Sequence, residues 1–160
     1  CFWCIADPFY NLNGVIDVYS GYCGGVLENP TYKEVKSGKT GHKEAILIVY
    51  DSNIISYNEL LKIYFENIDP FDDEGQFIDR GSSYQTAVFT NDLVEINCFK
   101  SLVNYIENKY NKKVMVKLEN ESIFYMAESE HQRFSLNNKE KFELEEEISG
   151  RNSFEKIDFL

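Results

Sequence analysis

The sequence has no apolar run long enough to span a membrane and no segment built like a secretory leader. It has no basic excess either. Sixteen Lys and Arg stand against 27 Asp and Glu, for a net charge of −11. Polyanions are repelled by such a surface, so nucleic acid and anionic membranes are excluded as partners. Histidine is scarce, with two in the chain. The Cys1–Cys4 CxxC is followed by neither a second CxxC nor an HxxxH, so no complete zinc set can be read. Four cysteines in 160 residues fit redox-active or buried thiols better than a disulfide framework. No internal repeat, low-complexity linker or domain boundary is visible. One domain over residues 1–160 is expected, in a cytoplasmic protein that works as a monomer.

What is present begins at once. Cys1-Phe2-Trp3-Cys4 sets two sulfurs three positions apart around two large aromatics. A thiolate is the nucleophilic form of cysteine, and a second sulfur can attack whatever forms on the first. The aromatics offer a wall for an apolar group. By itself the motif is also compatible with half a zinc site or with two small buried residues at a helix start. Hydrophobic residues make up 43% of the chain, enough for a real core.

The patterning predicts alternating strands and helices. A short helix is expected over 3–12, a turn at Asn13-Gly14, and a strand over 15–19. Residues 20–41 hold five of the nine glycines and read as a long functional loop. His42 to Tyr50 reads as a buried strand. Ser56-Tyr57-Asn58-Glu59 is a capping box opening a helix that ends at Asp69-Pro70. After an acidic loop over 70–83, a strand is expected over 85–90. The longest helix is expected over 92–109, with Leu93, Ile96, Phe99, Val103 and Ile106 facing the core. A strand over 113–118, a short helix near Glu128 to Phe134 and a charged tail over 139–160 complete the reading. The expected class is α+β: a two-layer α/β sandwich with a ferredoxin-like mixed sheet and long functional loops.

Several segments then occur in a recognisable order. They are Cys1-Phe2-Trp3-Cys4, Ser20-Gly21-Tyr22-Cys23-Gly24-Gly25, Asn29-Pro30-Thr31-Tyr32, Gly41-His42-Lys43-Glu44 and the run from Gly75 to Tyr84. Phe65 to Pro70, Phe124 to Glu128 and Ser149-Gly150-Arg151 join them. Together they resemble the A-type peptide methionine sulfoxide reductases over nearly the whole chain. The glycine-rich C-terminal tail with resolving cysteines is absent, which matches the subgroup whose second cysteine lies within CFWC. The family carries a strand before its reactive cysteine, so the resemblance implies such a strand ahead of Cys1. Ala6 stands where many members have Glu.

The resemblance implies thiol-dependent reduction of methionine-(S)-sulfoxide, free or in proteins, in repair of oxidative damage. No metal or organic cofactor is expected, but an external dithiol such as thioredoxin is. Cys1 would be the nucleophile and pass through a sulfenic acid. Glu44, at the start of an apolar strand, would be the general acid, because sulfoxide oxygen leaves poorly unless protonated. Tyr32 and Tyr84 would hydrogen-bond that oxygen. Phe2 and Trp3 would cradle the methyl group, and Asp79 would order the pocket or meet substrate backbone. Cys4 would resolve the sulfenic acid, with Cys23 as the alternative. His131 is given no catalytic step, and Cys98 reads as structural. Two other functions use the same features: a general CxxC thiol-disulfide oxidoreductase, and a noncatalytic peptide-binding domain.

Overall fold

The protein is described by a computed structural model covering residues 1–160. Helix α1 (Phe2–Ala6) runs into a 3-10 turn at Asp7–Phe9. Strand β1 (Val15–Cys23) pairs antiparallel with β2 (Lys43–Tyr50) and, at its far end, with β7 (Tyr125–Met126), giving the order β2-β1-β7. Between β1 and β2 lies α2 (Tyr32–Lys36). Helix α3 (Tyr57–Glu66) follows, then a small hairpin of β3 (Gly75–Gln76) and β4 (Asp79–Arg80). Strand β5 (Ala87–Phe89) pairs parallel with β6 (Lys117–Glu119) across α4 (Leu93–Tyr110). Helices α5 (Phe134–Asn137) and α6 (Lys139–Ser149) close the chain. Antiparallel and parallel ladders thus occur together in an α+β domain.

The strongest local signals give the clearest elements. The Ser56 side chain accepts from the Glu59 N–H while Glu59 reaches back to the Ser56 N–H, so the capping box is complete. Leu61 and Phe65 of α3 then meet Phe99, Leu102 and Ile106 of α4 in the largest apolar cluster. Each such side chain contributes about 1.5–3 kcal/mol when fully buried. Cys98 packs at the edge of this cluster. The start of α4 departs from expectation. Leu93 is 76% exposed, because it stands one turn before the face that meets α3.

Three other expectations are revised. The long loop begins later than expected, since β1 continues through Ser20-Gly21-Tyr22-Cys23. Gly21 makes this possible: a Cβ there would sit 2.4 Å from the Tyr125 carbonyl and closer still to the Phe124 ring, so β7 could not approach. The same loop contains α2, opened by a capping box between Thr31 and Glu34. The charged tail contains α6, which is anchored by its one buried residue, Phe142.

A cleft of about 480 Å³ opens beside the free edge of β2. The free edge of β2 and β5 both line it, with α3 beneath, and most of its wall is apolar. No helix is long and apolar enough to cross a membrane.

Candidate active site

Cys1 occupies the N-cap position of α1, and its carbonyl accepts the N–H groups of Cys4 at 3.1 Å and Ile5 at 3.3 Å. Helix formation therefore turns Cys1, Phe2, Trp3 and Cys4 around a single turn. A pocket of about 210 Å³ opens there. Its walls include Cys1, Phe2, Trp3, Cys4, Tyr32, Glu44, Asp79 and Tyr84. Eight of the nine residues expected from sequence are thus brought together. The ninth, Cys23, lines the β2–β5 cleft instead, and its thiol faces the Ser122 carbonyl at 3.7 Å.

Glu44 arrives from β2, opposite Tyr22 in the β1–β2 register. Its side chain is 4% exposed, and Oε1 accepts the Phe2 backbone N–H at 3.0 Å. Burial pushes the Glu44 carboxyl above its ordinary value, while the Phe2 N–H pulls the other way. The Cys1 backbone nitrogen lies 3.9 Å from Glu44 Oε1 and 3.9 Å from Asp79 Oδ2. Asp79 is more open, at 28%. A carboxyl raised by burial keeps its proton to higher pH than an exposed one, which is the property a proton donor needs. Ala6 is fully buried among Phe9, Val18, Ile55 and Leu60, so the position where many relatives carry Glu is here part of the apolar core.

Two phenols face this carboxyl. Tyr32 is the first residue of α2, where its N–H donates to Glu128 Oε2 at 2.9 Å. Tyr84 ends a 3-10 turn at Ser82–Tyr84. Burial first, and the Glu44 charge second, push both hydroxyls upward, so both remain donors at neutral pH. Phe2 is almost wholly buried against Tyr22, Val35 and Ala127, while Trp3 is half-buried and stacks on Phe134 at 3.8 Å. Phe2 is thus both core and pocket wall.

Arg151 completes the site, a role sequence reading did not assign. Gly150 ends α6 with φ of +82°, a left-handed turn that suits glycine and reverses the chain. Arg151 is consequently buried, with Nη2 3.3 Å from Asp79 Oδ2 and its guanidinium over the Phe77 ring. Burial pushes the Cys4 thiol up, and the Arg151 charge acts against that push. The Ser149-Gly150-Arg151 segment was the available signal. Glu128 was likewise missed: besides Tyr32 it accepts the Tyr22 hydroxyl at 2.9 Å, so it ties α2 to β1.

A family profile described as peptide methionine sulfoxide reductase matches residues 1–159. The chain is 44% identical to peptide methionine sulfoxide reductase MsrA of Ligilactobacillus salivarius, over 96% of this chain and 90% of that one. Among solved structures, methionine sulfoxide reductase A of Corynebacterium diphtheriae superposes with a TM-score of 0.77 at 26% identity, covering 87% of this chain and 71% of that one. Reduced Mxr1 of Saccharomyces cerevisiae gives 0.78 at 23% identity, covering 87% and 81%, and supports the fold. With a profile matching residues 1–159 and a relative this similar, the chain belongs to the peptide methionine sulfoxide reductase family, oxidoreductases that reduce methionine sulfoxide.

Proposed function

We propose that the chain reduces methionine-(S)-sulfoxide, free and in oxidised proteins, through Cys1. The Cys1 sulfur attacks the sulfoxide sulfur while the oxygen takes a proton from Glu44. Tyr32 and Tyr84 donate hydrogen bonds to that oxygen as its charge develops. The oxygen passes to Cys1, leaving a sulfenic acid and methionine. The substrate sulfur is reduced by two electrons and Cys1 is oxidised by two. The Cys4 thiol then attacks the Cys1 sulfur, a disulfide forms, and water leaves. A dithiol partner such as thioredoxin reduces the disulfide by exchange. The chain works as a monomer.

The observation that carries this reading is the placement of the buried Glu44 carboxyl against the turn that bears Cys1. A general CxxC oxidoreductase needs only Cys1 and Cys4 and would leave a costly buried carboxyl with two phenols around it unused. Methionine release from resolved S and R sulfoxides, with dithiothreitol as reductant, tests the proposal. Product is expected from the S epimer alone, and none from Cys1→Ser. Equal turnover of both epimers, or substantial product from Cys1→Ser, would overturn it.

We also propose that a strand preceding Cys1 in the full protein fills the β2–β5 cleft. Support comes from the two strand edges that face each other there and from Cys1, which lines both cleft and pocket. Such a strand would satisfy main-chain groups on both edges and join the two ladders into one mixed sheet. Adding the native preceding residues should slow amide exchange along β2 and raise Tm. Unchanged exchange at Ala45 to Tyr50 would exclude this placement.

A further inference from the structure

The segment after β7 crosses behind the pocket. There Glu128 leads into a 3-10 turn at Ser129–His131, and Phe134 opens α5. The His131 imidazole is 5% exposed and lies against three pocket residues. Its ring centre is 4.4 Å from that of Tyr32, 5.3 Å from Phe2 and 5.8 Å from Trp3. The Trp3 indole N–H donates to His131 Nδ1 at 3.2 Å. An indole nitrogen can only donate, so this bond requires an unprotonated Nδ1 and puts the ring proton on Nε2. Nε2 is buried and has no hydrogen-bond partner. The nearest carboxylate oxygen, on Glu130, is 3.7 Å away.

Trp3 is therefore held in two ways. Phe134 covers one face, which fixes its plane but leaves it free to slide. His131 supplies the one directional bond. We propose that His131 is a positioning residue that, as a neutral imidazole, fixes the orientation of Trp3 as a wall of the substrate pocket, and that protonation of His131 releases Trp3. In the imidazolium both nitrogens are donors, so Nδ1 would face the indole N–H donor to donor. This inference rests on Trp3 being a pocket wall, as proposed above.

The charges around the ring fit this role. Burial pushes the imidazole below its ordinary value, and Glu128 and Glu130 on its own segment pull it back. From α2 comes Tyr32, a phenol that stays neutral, and from β1 comes Tyr22, engaged with Glu128. Helix α1 contributes aromatic faces. Lys141 of α6 lies over the Trp3 and Phe134 rings, 6.0 and 5.7 Å from their centres. At neutral pH the imidazole is uncharged and the Trp3 bond is intact. Release falls on the acid side of the usual histidine range.

The chain has one tryptophan, so its emission reports Trp3 alone. Emission should show a single transition below about pH 6.5 in the native protein, since imidazolium quenches a neighbouring indole. Circular dichroism at each pH confirms that the chain stays folded. The transition should vanish in His131→Asn and His131→Phe. Asn keeps an acceptor near the Nδ1 position, whereas Phe fills the space without one. At pH 7.5, His131→Phe should raise KM for methionine sulfoxide about five- to tenfold, an effect of roughly 1 kcal/mol, with the saturated single-turnover rate within about twofold. His131→Asn should bring KM back to within about twofold of the native value. Should His131→Phe fail to fold, the native titration and His131→Asn decide the matter. A flat native titration, a transition that persists in His131→Asn, or equal KM values for Asn and Phe would overturn the inference. An intact titration in a chain without reductase activity would instead count against the functional reading alone.

Discussion

The backbone N–H of Phe2 donates to Oε1 of Glu44 at 3.0 Å, joining the first turn of α1 to the start of β2 across 42 residues of sequence. This bond places the carboxyl beside Cys1 and gives it one fixed partner in an otherwise desolvated setting. A carboxylate with several N–H donors would sit low on the pH scale. With burial as the dominant influence, Glu44 is held high. The contact orients the proposed acid, and burial, which outweighs it, keeps the carboxyl protonated to higher pH.

Glu44→Gln keeps an acceptor for the Phe2 N–H but removes the titratable proton. The single-turnover rate should fall by about two to four orders of magnitude, the range for loss of a general acid. Substrate affinity should change far less. In the native protein the chemical step should slow as pH rises through the Glu44 value, because the acid must be protonated to act. The variant should lack that dependence. Rapid-quench measurement of methionine from pH 5 to 9 reads both effects, and a native-like rate in the variant would assign the proton to another donor.

Stability should carry the same signature. The folded-state pKa of Glu44 is raised by burial, so its carboxyl binds a proton more tightly in the folded chain than in the unfolded one. The associated stability is fully present below the ordinary carboxylate value and is lost as pH rises through the raised value. Native protein should therefore lose stability relative to Glu44→Gln across that window. Paired denaturant titrations at pH 4 and pH 8 measure it. A difference between native and variant that does not change with pH would mean that Glu44 is not desolvated.

The fold was legible where local chemistry and packing agree. Ser56 and Glu59 cap α3, and Leu61 and Phe65 recur at helical spacing, so no distant contact is needed to predict that element. The end of β1 was illegible for the opposite reason. Ser20-Gly21-Tyr22-Cys23 reads as loop, and becomes strand because Phe124 and Tyr125 close over Gly21 from about a hundred residues away. Helix α6 is charged along nearly its whole length and buries only Phe142, so its amphipathic signal is weak. In the site, Cys1, Tyr32, Glu44, Asp79 and Tyr84 were identified by the order of their motifs. Arg151 was not given a role, since nothing local announces an ion pair to a residue 72 positions earlier.

That ion pair predicts a selective defect. Arg151→Gln removes the positive charge that offsets burial at Cys4, so the Cys4 thiolate becomes scarcer. It also frees Asp79, which is open enough to hydrate. Methionine formation in a single turnover should persist. Disulfide formation should slow about five- to tenfold, the effect of roughly 1 kcal/mol. Trapping the Cys1 sulfenic acid with dimedone at timed intervals distinguishes the two steps. Equal slowing of both would mean that Arg151 supports Cys1 or the pocket as a whole.

The same geometry favours Cys4 over Cys23 as the proposed resolving cysteine. Cys4 lies one helical turn from Cys1, with its N–H bonded to the Cys1 carbonyl at 3.1 Å, and both line the pocket. Closing a ring between them costs little chain entropy. Cys23 is buried in the last position of β1, paired with Lys43, with its thiol turned to Ser122. Reaching Cys1 would require breaking that ladder. Cys98 packs against the α3–α4 core and lines neither the cleft nor the pocket. Oxidation with one equivalent of sulfoxide should therefore give a Cys1–Cys4 disulfide first. Rapid thiol blocking followed by non-reducing peptide mapping identifies the bond. In Cys4→Ser the sulfenic acid on Cys1 should accumulate, while Cys23→Ser should behave as native. A dominant Cys1–Cys23 peptide would show that the end of β1 opens during turnover and would transfer the resolving role to Cys23. A sulfenic acid that persists in the native chain would instead mean that an external thiol attacks Cys1 directly, leaving Cys4 as a buried partner of Phe134 and Phe142.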